Sequence, residues 1–233
     1  MKCFKIITIV LLTTLIASCI GDENEYEPQS YSIGTIHRNI FDDVYFVPDT
    51  VMGDSELTLY ITNKSVFENV EDGYRLLMYF TKDLERDEKT WDVTYVGYEP
   101  IINDKIYDFI LTETSDTLGV DPVTINWDWM YLSHDYLTMY FTISKSNSAA
   151  HYVYFRKDEN KQKENTVVLN FHHDAKGDVY GNTQGYIISI PILELRDPSK
   201  DYINIEVVSE VKDKEPISKT FKYKYSGGFE PEE

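Results

Sequence analysis

Cysteine is nearly absent from this chain of 233 residues: there are two, Cys3 and Cys19. Everything after Cys19 therefore has no thiol and can form no internal disulfide. Basic residues are scarce as well, 22 Lys and Arg against 40 Asp and Glu, for a net charge of −18. Lys2 and Lys5 are the only charges before Cys19, so the remainder is more negative still. Such a surface repels phosphate backbones and anionic headgroups, which excludes nucleic acid as the expected partner. Long apolar runs are missing apart from Ile6 to Ile16, about a dozen residues where a spanning helix needs roughly 20. No segment sustains the i, i+3, i+4, i+7 spacing of an amphipathic helix. The motifs G-x-S-x-G and H-E-x-x-H and the EF-hand loop are also lacking, and these absences give no reason to expect a catalytic centre, a metal or a cofactor.

The N-terminus has the form of an export signal, with a basic start at Lys2 and Lys5 followed by the apolar run. Leu15-Ile16-Ala17-Ser18-Cys19 resembles a bacterial lipobox. That resemblance implies cleavage after residue 18 and lipid attachment at Cys19, which would anchor the chain to a membrane. The alternative is an ordinary secretory signal cut after a small residue. Ile20 rather than Asp follows the cysteine, so the usual inner-membrane retention signal is absent. Asp22, Glu23, Glu25 and Glu27 come next. This run resembles the acidic export signal of surface lipoproteins in the Bacteroides group. It implies an outer-membrane lipoprotein displayed at the cell surface, with a periplasm-facing location as the second reading. Residues 1–18 are thus read as signal and 19–30 as a flexible acidic tether.

What the chain has in quantity is aromatic and β-branched residues in alternation, including 19 Tyr and 11 Phe. Leu76, Met78 and Phe80 alternate with Arg75, Leu77 and Tyr79. The same period of two runs through Trp91, Val93 and Tyr95, through Leu137, Met139, Phe141 and Ile143, through Val167, Leu169 and Phe171, and through Ile203, Ile205 and Val207. Repeated this often, it predicts an all-β protein of antiparallel sheets, each with one face buried and one wet. Turn signals divide the runs, among them Met52-Gly53-Asp54, Glu71-Asp72-Gly73, Lys176-Gly177-Asp178 and Ser226-Gly227-Gly228. The polar stretch from Thr112 to Pro122 suggests a boundary between a small barrel at 31–112 and an immunoglobulin-like sandwich at 113–233.

Three groups are candidates for chemistry. His172-His173-Asp174 with Asp178 has metal-ligand residue types, yet neighbours in a strand point to opposite faces, which favours a strand end and turn. His134-Asp135 could orient a general base but comes with no nucleophile, and is read as a tight turn. Trp127, Trp129 and Tyr131 fall on one face at strand spacing and form a candidate ligand platform, suited to sugar rings. The competing reading is that these rings fill a core.

The segments YSIGTIHRN, GYRLLMYFTK, WDVTYVGYEP and KIYDFILTET resemble the N-terminal OB-type barrel of NigD-like lipoproteins of Bacteroides-type bacteria. DPVTINWDWMYLSHDYLTMYF, VVLNFHHDAKGD and GYIISIPILELR resemble their C-terminal β-sandwich. The resemblance covers essentially the whole mature chain and implies a lipid-anchored, two-domain architecture. The family's name derives from a bacteriocin gene neighbourhood, and it carries no settled activity and no site residues to transfer. The sequence therefore supports a non-catalytic binding module for protein or glycan partners. A glycan hydrolase with an unidentified carboxylate pair and a bacteriocin self-protection protein are the alternatives.

Overall fold

The computed structural model describes residues 30–49, 57–104, 106–108, 119–146, 150–211 and 214–225. The lipobox, the tether through residue 29, the turns at 52–54 and 226–228 and residues 112–118 lie outside them. The chain is all-β, as the alternation predicts. The only described helical turns are two short 3-10 segments, Lys64–Phe67 and Leu193–Leu195.

Five strands close into a barrel: β1 (Ser30–Arg38), β2 (Val44–Pro48), β3 (Thr58–Ile61), β4 (Arg75–Asp87) and β5 (Thr90–Pro100), in the order β1-β2-β3-β5-β4. Its core is the inward half of the alternating runs, with Ile36, Phe46, Leu59, Leu76, Met78 and Val93 wholly buried. Closure depends on Gly34, which pairs with Pro48 on one side and Leu76 on the other. A Cβ at Gly34 would sit 2.3 Å from the Val47 carbonyl oxygen and 2.6 Å from the Phe46 ring, so only glycine lets β2 approach β1 this closely.

The sandwich holds β6 (Ile102–Asn103), β7 (Ile106–Asp108), β8 (Thr124–Ser133), β9 (Tyr136–Lys145), β10 (Tyr152–Lys157), β11 (Thr166–Asp174), β12 (Asn182–Pro191), β13 (Tyr202–Ser209) and β14 (Ile217–Lys224). One sheet has the order β14-β13-β11-β10-β7 and the other β6-β12-β9-β8. Between them lie Leu137, Met139 and Phe141 of β9, Leu169 and Phe171 of β11, Ile188 and Ile190 of β12, and Ile203, Ile205 and Val207 of β13.

Two expectations change. The sheets are mixed rather than antiparallel: β3 runs parallel to β5, β11 to β13, β10 to β7 and β12 to β6. Alternation reports which face is buried and carries no information on the direction of the neighbouring strand. The passage between domains also falls earlier than residue 112. β6 and β7 precede that point yet pair with sandwich strands, so the barrel ends near Pro100 and the link is Ile101.

The barrel rests on the outer face of the β6-β12-β9-β8 sheet. Ile33, Leu77 and Ile101 form a small apolar cluster with Tyr79 and with Ile187 of β12. The outward half of β4 is therefore dry at its start and becomes solvent-exposed only from Lys82 on.

Candidate functional site

Arg75 sits at the centre of the junction with 1% of its side chain exposed, against 3% for Asp49. Nη1 donates to Asp49 Oδ1 and Thr35 Oγ1, both at 3.0 Å. Nη2 donates to Asp49 Oδ2 at 2.5 Å and to Thr138 Oγ1 of β9 at 3.1 Å. Nε donates to Ser189 Oγ of β12 at 2.7 Å. All five guanidinium N–H groups are thereby used. The flat of the group lies 4.1 Å from the Tyr136 ring centre. The Tyr131 hydroxyl donates to Asp49 Oδ2 at 3.1 Å, and burial beside that carboxylate pushes its pKa up. Two barrel charges are thus bound by hydroxyls of three sandwich strands.

This placement separates the expected aromatic row. β8 pairs regularly with β9 at Asn126 opposite Tyr140 and again at Met130 opposite Met139, so residues 127–129 bulge out of the ladder. The bulge breaks the period of two. Trp127 turns inward against the sandwich core, Trp129 packs edge-on against Tyr140 and stays 42% exposed, and Tyr131 enters the domain junction. The three rings form no common platform. Asn126 Oδ1 accepts from the Trp129 amide at 3.2 Å. Lys219 of β14 crosses from the other sheet, and its Nζ donates to the carbonyls of Trp127 at 2.6 Å and Met130 at 3.1 Å. Burial lowers the pKa of that ammonium, with Asp128 opposing.

The histidines hold a second network. His172 and His173 point to opposite faces of β11 and both are buried, and the segment Gly119–Pro122 pairs alongside the strand at His173 through a parallel bridge. His172 stacks on Tyr154, and its Nδ1 lies 3.3 Å from the Gly119 carbonyl. His173 Nδ1 donates to the Pro122 carbonyl at 3.0 Å, its Nε2 meets His151 Nδ1 at 2.9 Å, and His151 Nε2 faces Asp178 Oδ2 at 3.4 Å. Burial pushes the pKa of both His172 and His173 down. A bond from Ser146 holds Asp178 below the usual carboxylate range. Asp174 caps the Lys176 amide at 2.9 Å, as the turn reading requires. His151 stands alone in the sequence, and no spacing rule links it to residues 22 and 27 positions away. Among the described residues, no group of three His, Cys, Asp or Glu side chains is placed to hold a metal.

His134 takes a left-handed conformation (φ 49°) in the β8–β9 turn. Asp135 Oδ1 accepts from Arg196 Nη2 and from the Tyr223 hydroxyl, each at 2.5 Å, which ties this turn to β14.

The barrel carries an open groove of about 250 Å³ lined by Asp43, Tyr60, Thr62, Lys64, Arg86 and Asp92 among others. Arg86 lies 4.6 Å over the Tyr60 ring and pairs with Asp92 at 2.5 Å. The cross-strand row continues from Tyr60 to Tyr45 and His37, with ring centres 5.9 and 5.4 Å apart.

These features define a class: a two-domain all-β protein, a closed barrel fastened to the outer face of a β-sandwich by a buried ion pair. Residues 107–223 match the NigD-like C-terminal beta sandwich domain. The chain belongs to the NigD-like family. Solved structures show the same fold. A toxin-related protein of Parabacteroides distasonis superposes with a TM-score of 0.70 at 17% identity, over 86% of this chain and 96% of its own. A NigD-like immunity protein of Bacteroides caccae gives 0.63 at 17%, over 84% and 97%. A protein of Bacteroides fragilis designated a lipoprotein gives 0.58 at 12%, over 85% and 98%. At these identities the likeness is one of fold. Among curated proteins none matches.

Proposed function

We propose that this chain is a lipid-anchored, surface-displayed lipoprotein of the outer membrane whose two β-domains form a non-catalytic binding module. The observation that carries the reading is the employment of its buried and half-buried charges. Arg75 with Asp49, His151 with His173 and Asp178, and Asp135 with Arg196 and Tyr223 each join segments distant in sequence. In each, the groups that acid–base chemistry would use are engaged in holding the fold together. The signal, Cys19 and the acidic run after it supply the anchor and the address. Protein or glycan partners would meet the exposed barrel surface around Tyr60 and Arg86.

Cys19→Ser tests the anchor. The variant should leave the membrane fraction for the soluble one, and retention in the membrane would overturn lipidation at this residue. Protease treatment of intact cells should remove the wild-type domains; protection until the outer membrane is permeabilised would favour the periplasmic face.

The immunity protein among the structural neighbours motivates a second reading, self-protection against a bacteriocin. Deletion of the gene should then raise sensitivity to a bacteriocin from the same strain, and unchanged sensitivity would sink it.

A further inference from the structure

The β1–β2 turn carries two large apolar residues where turn chemistry favours Gly, Asn, Asp or Ser. Ile40 is 93% exposed and Phe41 78%. They are held in place. Asn39 Oδ1 accepts from the amides of Phe41 and Asp43, both at 2.9 Å. The Asp42 amide donates to the Asn39 carbonyl at 3.0 Å, the Asn39 amide to the Asp43 carbonyl at 3.1 Å, and Asp42 sits at φ 62°. Below the turn, Arg38 bonds both the Asp42 carboxylate and the Phe67 carbonyl, and Lys64 bonds the Asp42 carbonyl. Val66, 48% exposed, belongs to the 3-10 segment that these bonds draw against the turn. The chain thus fixes an apolar tip in one geometry and leaves it uncovered, which removes most of the ordering entropy from any later association.

The rim of this pole is acidic. Asp42, Asp43 and Asp72 lie against it, and Glu68 and Glu71 belong to the adjoining segment; the bases are Arg38 and Lys64, already paired with Asp42 and Asp43, and Arg86 in the groove, paired with Asp92. The groove beside Asp43 and Lys64 opens on the same side. An anionic bilayer is a poor match for these acids, and the tip lies at the far end of β1 from Ser30, where the tether enters. A second copy would bring the same acids against these. Ile40 offers a sugar neither a ring nor a polar atom.

We infer that the Ile40–Phe41 turn is the docking point for a different protein, one that offers an apolar socket ringed by lysine or arginine. This rests on the binding-module reading and names the kind of partner that module takes. The tip supplies the buried anchor of the contact, and the acidic rim supplies orientation and rate.

The test places the photo-crosslinking residue p-benzoylphenylalanine at position 41 of the full chain, expressed in its own cells, and at Tyr180 (80% exposed, on the sandwich) as the control. One polypeptide should be captured from position 41 and not from 180, less so as ionic strength rises. Once that polypeptide is identified and purified, Ile40→Asp with Phe41→Asp should weaken its binding by about thirtyfold or more. The double variant should melt at the wild-type temperature, since neither side chain is packed. Capture of lipid, of a second copy, of nothing, or of the same species from both positions would overturn the inference, as would undiminished binding by the double variant. Anchoring is read separately through Cys19→Ser, so a failed crosslink with intact anchoring refutes the docking point alone.

Discussion

Arg75 and Asp49 meet in two parallel bonds, Nη1 to Oδ1 at 3.0 Å and Nη2 to Oδ2 at 2.5 Å, at the point where the barrel touches the sandwich. Both belong to the barrel, yet the remaining donors and lone pairs of the pair are taken up by Thr138, Ser189 and Tyr131 of the sandwich as well as Thr35. Arg75→Ala should leave a buried carboxylate without its partner and cost about 3–5 kcal/mol in urea unfolding. Arg75→Met with Asp49→Leu should cost less than Arg75→Ala alone, because no charge is then stranded. A loss below about 1 kcal/mol for Arg75→Ala would show that the pair does not carry the junction.

Arg75 also marks the limit of what alternation tells. Leu76, Met78 and Phe80 read as one face of a strand, and they are the barrel core. Arg75, Leu77 and Tyr79 read as the wet face, and at this end of β4 that face is covered by a second domain. Period two separates the faces of a strand and says nothing about what a later part of the chain will lay against the outer one. The same ignorance applies to His173, whose partner His151 lies on another loop, and to the bulge at 127–129. There, three extra residues turned an apparent row of rings into three separate environments.

Gly34 is the second point of test. With the Val47 carbonyl 2.3 Å from the site of a Cβ, Gly34→Ala forces β2 away from β1. Loss of about 3 kcal/mol is expected, with the barrel tryptophan Trp91 reporting the change by fluorescence. Wild-type stability in this variant would mean the strands can part without penalty.

Lys219 gives the third. Lys219→Met keeps the chain length and removes the donor to the Trp127 and Met130 carbonyls. The bulge should then lose about 1–3 kcal/mol, with amide exchange accelerated at residues 127–130. Unaltered exchange there would assign the bulge to Asn126 alone.

The fourth concerns acid. The pKa of His172 and His173 is lowered in the fold from the ordinary 6.5, chiefly by burial. The unfolded chain therefore binds protons that the folded chain refuses, and stability falls as the pH drops below about 6.5 while staying level above it. Each histidine should contribute up to about 1.4 kcal/mol of loss between pH 7.5 and 5.5. The lowered carboxylate Asp178 adds its own loss only further down, below its ordinary 3.8. His172→Gln and His173→Gln should each flatten the slope of unfolding free energy against pH in that window. An unchanged slope in both would place the acid sensitivity elsewhere.

β1 has neighbours on both sides, β2 and β4, and its first residue, Ser30, is where the proposed anchor line enters. Its far end at Arg38, about 26 Å away, delivers the chain to Ile40 and Phe41. A pull between a membrane at one end and a captured protein at the other would run lengthwise along this strand. The ladder to β4 along residues 30–35 and the ladder to β2 along residues 34–38 would then bear the tension one after the other, each in shear, rather than opening one rung at a time. The strand that completes the barrel is also placed to serve as its towline.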